Sequence, residues 1–405
     1  MANDAAGSRT SLGPVSVLSL RITAFRLGEL LLLGLLLAAG ACVRTAPPER
    51  ATGPAARGAN GALTPMGAPA LSGEATPSSG LLAAGARAPG TAAPAQLQLL
   101  DAWPIEGPPG VTAADFQPSG LLLVQERLLA VSDRQDSVVF ELQLSAAAVR
   151  AVPWLTFRAP VLPGQAPGRL DLEGLALDGS GGLVLLSEAL LALLRVVDAG
   201  SGEVLPQVGR ASWLPLLGGA PPSATQPDPR ELRLEQASLR ELGRAAGLFQ
   251  VPGADLEGVA ALPGGELLLA AERQPRGLVE LGRGVPPQVW PMLESAWPVP
   301  QQRPADFSDL SVVGGRVYAL VRNAHLLVRL ERTRRGWREE RAWNYAAAEN
   351  DPRFVYADTR FGLAEGLAIG PNEIFIVLDN NGQSRRAAPA DQRTLLFRFA
   401  RPSDL

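Results

Sequence analysis

The sequence predicts an all-β fold built from a repeated unit, and three observations carry that prediction. Five segments align with one another: Pro118-Ser119-Gly120-Leu121-Leu122, Asp171-Leu172-Glu173-Gly174-Leu175-Ala176, Asp255-Leu256-Glu257-Gly258-Val259-Ala260, Phe307-Ser308-Asp309-Leu310-Ser311 and Ala364-Glu365-Gly366-Leu367-Ala368. Each leads into a second apolar strand that ends on polar residues, and glycines mark turns at 178–182, 263–265 and 313–315. Unit starts at Ser119, Glu173, Glu257, Ser308 and Glu365 are 54, 84, 51 and 57 residues apart. Units of roughly 50 residues with three or four strands are the signature of propeller blades.

The N-terminal segment reads as an address. Arg21 and Arg26 precede an apolar run at 30–41, which is shorter than the roughly 20 residues a membrane span needs. The run fits the apolar region of a secretory signal and ends in Ala39-Gly40-Ala41-Cys42. Small residues directly before the only cysteine resemble a bacterial lipobox. Residues 1–41 are therefore expected to be a lipoprotein signal peptide, with Cys42 as the lipidated residue anchoring the chain to a bilayer.

A tether is expected next, at 42–96. It is dominated by Ala, Gly, Pro, Ser and Thr, a composition that buries too little apolar surface to offset chain entropy. The remaining residues, 97–405, form the expected propeller domain. Third strands follow several hairpins, at 192–197, 278–281 and 326–330. The 84-residue interval holds a plausible helix at 234–248 and a Pro-rich stretch at 218–229. Dividing 309 residues by roughly 50 predicts six blades, with five blades plus an insertion as the alternative. A strand at 96–100 is expected to complete the blade containing 394–399 and so close the ring. Trp154, Trp213, Trp290, Trp297, Trp337 and Trp343 read as core or blade packing.

Composition then limits the chemistry. The chain has one Cys, one His and no Lys; all 37 basic residues are Arg. Multi-His and Cys-cluster metal sites, P-loops, Schiff-base chemistry and internal disulfides are excluded. A net charge of −3 gives no reason to expect nucleic acid as a partner. A hydrophobic fraction of 46% excludes global disorder.

The acids repeat with the strands. Glu173 and Glu188 are 15 residues apart, as are Glu257 and Glu272; Glu365 to Asp379 and Ser119 to Asp133 are 14. Positions one hairpin apart lie side by side across a strand pair, so several blades are expected to present carboxylates toward one mouth. Like charges that close need a partner. A hard cation fits, since oxygen ligands suit calcium; so does Arg, as Arg134, Arg273 or Arg322. Asp171 and Asp255 also read as strand caps, and 379–382 as a tight turn rather than a calcium loop. His325 lies just past a strand end and reads as structural.

At these residues the chain resembles two related groups. The Pro-Ser-Gly-Leu and Asp-Leu-Glu-Gly segments are similar to the SdiA-regulated family of propellers. Ser308-Asp309-Leu310, Arg322-Asn323 and Glu365-Gly366-Leu367 with Asp379-Asn380-Asn381 are similar to the phytase-like, or esterase-like, propellers. The resemblance covers most of 115–399 and implies a secreted or cell-envelope propeller that binds calcium. It also implies phosphoester or carboxylester hydrolysis, although fold alone does not dictate activity. The absence of Lys removes one phosphate ligand, which Arg can replace.

The resulting expectation is a membrane-anchored lipoprotein facing the periplasm or exterior. Its acidic channel mouth binds a small anionic ligand or an envelope protein. The alternative is a calcium-dependent hydrolase on the same face. Glu173, Glu257, Glu365 and Asp379 are the expected calcium ligands; Arg273, Arg322, Asn323 and Asp309 are the expected ligand-binding residues.

Overall fold

The computed structural model describes residues 92–158, 169–197, 204–205, 230–235, 239–251, 253–282, 284–292, 294–300, 303–357 and 361–405. The expected signal peptide, Cys42, the tether up to residue 91, Trp213 and the Pro-rich stretch 218–229 lie outside the described residues. Two strands precede the first blade, β1 (Ala95–Gln96) and β2 (Leu99–Glu106). Blade A is β3 (Pro118–Val124), β4 (Arg127–Ser132), β5 (Val138–Leu144) and β6 (Val149–Arg158). Blade B is β7 (Leu172–Leu177), β8 (Leu183–Ser187) and β9 (Ala192–Val197), with β10 (Val204–Leu205) and β11 (Arg230–Glu235) both antiparallel to β9. After helix α1 (Leu239–Ala245) comes blade C: β12 (Leu256–Ala261), β13 (Leu267–Ala271), β14 (Gly277–Leu281) and β15 (Gln288–Pro291). Blade D is β16 (Asp309–Val313), β17 (Arg316–Val321), β18 (Leu326–Thr333) and β19 (Gly336–Asn344). A short helix α2 (Ala346–Glu349) leads to blade E: β20 (Ala364–Ile369), β21 (Glu373–Leu378) and β22 (Leu395–Ala400).

Blade E takes its outer strand from the other end of the domain. β2 pairs antiparallel with β22, with Ala102 opposite Phe397 and Trp103 opposite Leu396. This is the expected closure, made by Leu99–Glu106 rather than 96–100. Ala95 and Gln96, placed in the tether by composition, pair in parallel with β19.

The inner strands form a closed ring. β3 packs on β7, β7 on β12, β12 on β16, β16 on β20, and β20 returns to β3. Alternation along each strand explains the core. Leu128 and Ala130 of β4 face the seam with blade E, while Leu129 and Val131 face the seam with blade B. Second strands therefore read as continuous apolar runs, because both faces are buried. The remaining seams are filled the same way, by Val184 and Leu186 against Leu256 and Val259, by Leu268 and Ala270 against Leu310 and Ala319, and by Tyr318 and Trp343 against Phe397. The all-β propeller is thus present. It closes on five blades with an insertion, not on six, because β7 and β12 are direct neighbours and no blade stands between them. Dividing length by blade size counted the insertion after β9 as a blade. Within it, Leu234 and Glu235 are strand, and a helix is described at Leu239–Ala245.

The repeated glycine has a steric cause. A Cβ on Gly258 would meet Asp309 Cα at 2.8 Å, and one on Gly120 would meet Glu173 O at 2.7 Å and Gly174 Cα at 2.9 Å. Neighbouring inner strands approach too closely there for any side chain. Among the described residues, no helix is long and apolar enough to cross a membrane.

Candidate functional site at the propeller mouth

The residue before each repeated glycine sits in a β-bulge in blades A, B, C and E, where the pairing shifts register. A bulge re-aims its side chain out of the ladder. The bulge residues are Ser119, Glu173, Glu257 and Glu365, and Ser308 holds the matching place in blade D. Both serines tie blades together: Ser119 Oγ donates to Leu172 O and Ser308 Oγ to Ala364 O. The three glutamates make no such bond.

A second set comes from the ends of the second strands: Asp133, Glu188, Glu272, Arg322 and Asp379. In four blades the backbone N–H of this residue donates to the residue entering the inner strand, to Gln117 O, Asp171 O, Asp255 O and Leu363 O. The two sets therefore meet at one end of the ring. Carboxylate oxygens of Asp171, Glu173 and Glu188 lie within 4.8 Å of one another, as do those of Glu188, Glu257 and Glu272. Glu188 belongs to both groups, and its Oε1 also accepts Asp255 N–H at 2.9 Å.

Charge at the mouth is unevenly compensated. Arg322 lies among carboxylates: its Nε is 2.8 Å from Asp306 Oδ2, and its two terminal nitrogens contact Glu365 and Glu272. Burial opposes its charge, but Glu365, Asp306 and Glu257 outweigh that and hold the guanidinium protonated well above its ordinary range. Arg273 also contacts Glu272. Arg169 binds both Asp133 and Asp171 at 2.8 Å. Glu173 and Glu257, each 8% exposed, have no hydrogen-bond or ion-pair partner among the described residues. Burial pushes Glu173 well above the usual carboxylate range, with Glu257 and Glu188 adding to the rise. Burial lifts Glu257 to about 8 despite the pull of Arg322. Asp133 is lifted to about 7 by burial and by Asp379. Glu257 thus holds its proton near neutral pH unless a cation replaces it.

Blade D breaks the repeat at the hub. Asp309 stands where the other blades carry glycine, and its carboxylate accepts Leu310 N–H at 2.7 Å, Leu367 N–H at 2.7 Å and Leu121 N–H at 3.4 Å. It thereby ties three inner strands together at the axis. Burial pushes its carboxyl up, against the pull of those N–H groups.

The residues expected from sequence thus separate. Glu173 and Glu257 meet in the carboxylate cluster through Glu188. Glu365 is paired with Arg322, and Asp379 accepts Asn381 N–H at 2.8 Å inside a turn whose Gly382 has φ 68°. Arg322, expected to hold an anionic ligand, is instead enclosed by three carboxylates. Asn323 is buried, donating to Pro304 O at 3.1 Å and accepting Gly362 N–H at 3.2 Å. Asp309 serves the backbone of the hub, and Arg273 neighbours the cluster through Glu272. Asp171 and Glu188 enter the expected set only through the structure. The signal for Glu188 was its fixed distance from Glu173.

No protein-family model matches the chain, and no curated protein does. Solved structures match at low identity. Glutaminyl cyclase from Myxococcus xanthus is 13% identical over 76% of this chain and 100% of that one, with a TM-score of 0.43. The PQQ-bound aldose sugar dehydrogenase from Streptomyces coelicolor is 13% identical over 76% and 98%, with a TM-score of 0.34. Virginiamycin B lyase from Staphylococcus aureus is 8% identical over 70% and 66%, with a TM-score of 0.33. The ring of inner strands sets the fold: the described residues form a five-bladed β-propeller.

Proposed function

We propose that the protein is a membrane-anchored lipoprotein whose propeller mouth binds a divalent cation and, through it, an oxyanion-bearing ligand or envelope partner. One observation carries the reading. Glu173 and Glu257 are more than nine-tenths buried, lack any hydrogen-bond donor or ion-pair partner among the described residues, and converge on Glu188. Buried carboxylates without partners are costly, so a site that keeps two of them is built to be filled. The donors are all carboxylate oxygens, with no imidazole or thiolate, which fits a hard cation such as calcium.

Asp171, Glu173 and Glu188 would hold the ion, with Glu257 beside them. Glu272 is less available, because Arg322 and Arg273 already neutralise it. A bound cation would neutralise the carboxylates and offer coordination positions to a ligand oxygen. Anchoring rests on Cys42 and the signal before it. The SdiA-regulated and phytase-like resemblance supports an envelope propeller, and hydrolysis of a phosphoester or carboxylester is the second reading of the same mouth.

Calorimetric titration of the chelator-treated full-length protein with calcium tests the proposal. The wild type is expected to bind and the Glu173→Gln/Glu257→Gln variant, folded by circular dichroism, to lose binding. A folded wild-type protein that takes up no calcium would sink it. A phosphoester screen with calcium then separates hydrolysis from binding.

A further inference from the structure

At the end of the ring opposite the carboxylate mouth, blade D carries free charge of the other sign. β18 leaves the mouth just past Arg322–Ala324 and runs 8 residues to Thr333, roughly 25 Å at the rise of a strand. Arg334 and Arg335 form the loop there before β19 returns. The loop is fixed locally: Thr333 Oγ1 donates to Gly336 O at 2.8 Å and accepts Arg335 N–H at 3.1 Å. Both arginines are exposed, and neither side chain has an ion-pair or hydrogen-bond partner among the described residues.

The strands beside the loop do not cancel this charge. Their carboxylates are already engaged: Glu331 by Arg338, Glu339 by the buried Arg276, and Glu340 by Arg329. Arg332 and Arg338, each more than half exposed, flank the loop, and each faces a single acid. At physiological salt, screening limits charge interactions to about 8 Å, so the mouth acids roughly 25 Å away do not neutralise the loop. A chain of net charge −3 therefore carries a locally basic tip. The large exposed apolar side chains of the described residues, Leu100, Leu144, Val285 and Phe361, all lie outside this hairpin, so what the tip attracts it attracts by charge.

The path of the chain selects the partner. β1 lies on the outer edge of the same blade, with Ala95 opposite Trp343. It runs parallel to β19, away from the loop, so the chain enters blade D from the loop's side. The blade that receives the chain from the expected anchor at Cys42 is thus the blade with the free arginines.

We propose that the Arg334–Arg335 loop, flanked by Arg332 and Arg338, docks on anionic lipid headgroups and turns the carboxylate mouth away from the bilayer. The docking rests on the anchored reading above. Guanidinium forks match headgroup phosphates in bidentate fashion. One arginine at an anionic surface gives about a fivefold preference, and the loop pair about 30-fold.

Hydrogen exchange of the full-length protein on vesicles tests this, with flotation run alongside to report anchoring. The vesicles are phosphatidylcholine alone, or with about 30% phosphatidylglycerol, at about 0.1 M salt. Amides of the 331–338 hairpin are expected to exchange at least about fivefold more slowly on the anionic vesicles than on the neutral ones. Arg334→Gln/Arg335→Gln, or salt raised to about 1 M, should abolish that difference. Equal exchange on the two vesicles, protection kept by the double variant, or protection at the mouth in place of the hairpin would each overturn the docking. A chain that floats yet shows no hairpin protection overturns the docking alone. A chain that floats with neither vesicle overturns the anchored reading and the docking with it.

Discussion

Replacing Glu257 with glutamine should stabilise the cation-free protein, and the gain should depend on pH in a defined direction. The carboxyl rises from its ordinary 4.5 to about 8 in the folded chain, chiefly through burial. Below pH 4.5 both folded and unfolded chains hold the proton, and the group is neutral to stability. As pH rises, the unfolded chain releases its proton first and the folded chain keeps it until about pH 8, so stability falls across that window and stays low above it. At about 1.4 kcal/mol per pKa unit, the full cost of ionising Glu257 in place is on the order of 4 to 5 kcal/mol. Glu257→Gln removes the titration while keeping shape and volume. Urea denaturation of the full-length chain in chelator, at intervals from pH 4 to 9, is the assay. The wild type and variant should coincide near pH 4, and the variant should be more stable by several kcal/mol at pH 9. Saturating calcium should stabilise both proteins and return part of that difference to the wild type, whose ionised Glu257 lies beside the ion. Parallel stability profiles across the whole range would refute the assignment of Glu257 as a buried, unpartnered carboxyl.

Other perturbations follow from the same geometry. Arg322→Gln leaves Glu272, Asp306 and Glu365 facing one another; it should cost about 3 to 5 kcal/mol at pH 8, less at pH 5, and should tighten calcium binding in calorimetry. Gly258→Ala drives a methyl into the Asp309 backbone at 2.8 Å and should cost about 1 to 3 kcal/mol by urea denaturation. Arg276, fully buried, pairs with Glu339 at 2.7 Å and lies 4.5 Å from the centre of the Phe307 ring. Arg276→Met alone should cost about 3 to 5 kcal/mol, and adding Glu339→Gln should recover part of it, a coupling read from the double-mutant cycle.

The inner hairpins were legible because two signals coincide there. A bulged polar residue precedes a glycine that cannot be anything larger, and apolar runs buried on both faces follow. The strand at 192–197 was likewise visible as an apolar segment, broken only by Arg195, between turn signals. Blade number was not legible, because only contacts between β7 and β12 reveal that the long interval is an excursion. The ring closure was foreseen but its register was displaced, since β2 contains Pro104 and Asp101, residues that argue against a strand when neighbours are unknown. At the mouth, repetition pointed to the glutamates but not to their different fates. Glu173 and Glu365 occupy matching positions, yet only Glu365 meets Arg322, because blade D supplies an arginine where its neighbours supply acids. Arg322 looked like an anion clamp in one dimension; in three it is consumed by its own surroundings.

The irregular blade gives the molecule a compass. A ring of five equal blades would offer a guest five indistinguishable poses, and choosing among them would carry no energetic preference. Ser308, Asp309 and Arg322 remove that degeneracy, because one sector carries an arginine where its neighbours carry acids and one hub position is filled. A ligand spanning the mouth then meets a single heading rather than five. The statistical benefit of five equal poses, about 1 kcal/mol from RT ln 5, is given up in return for a fixed orientation.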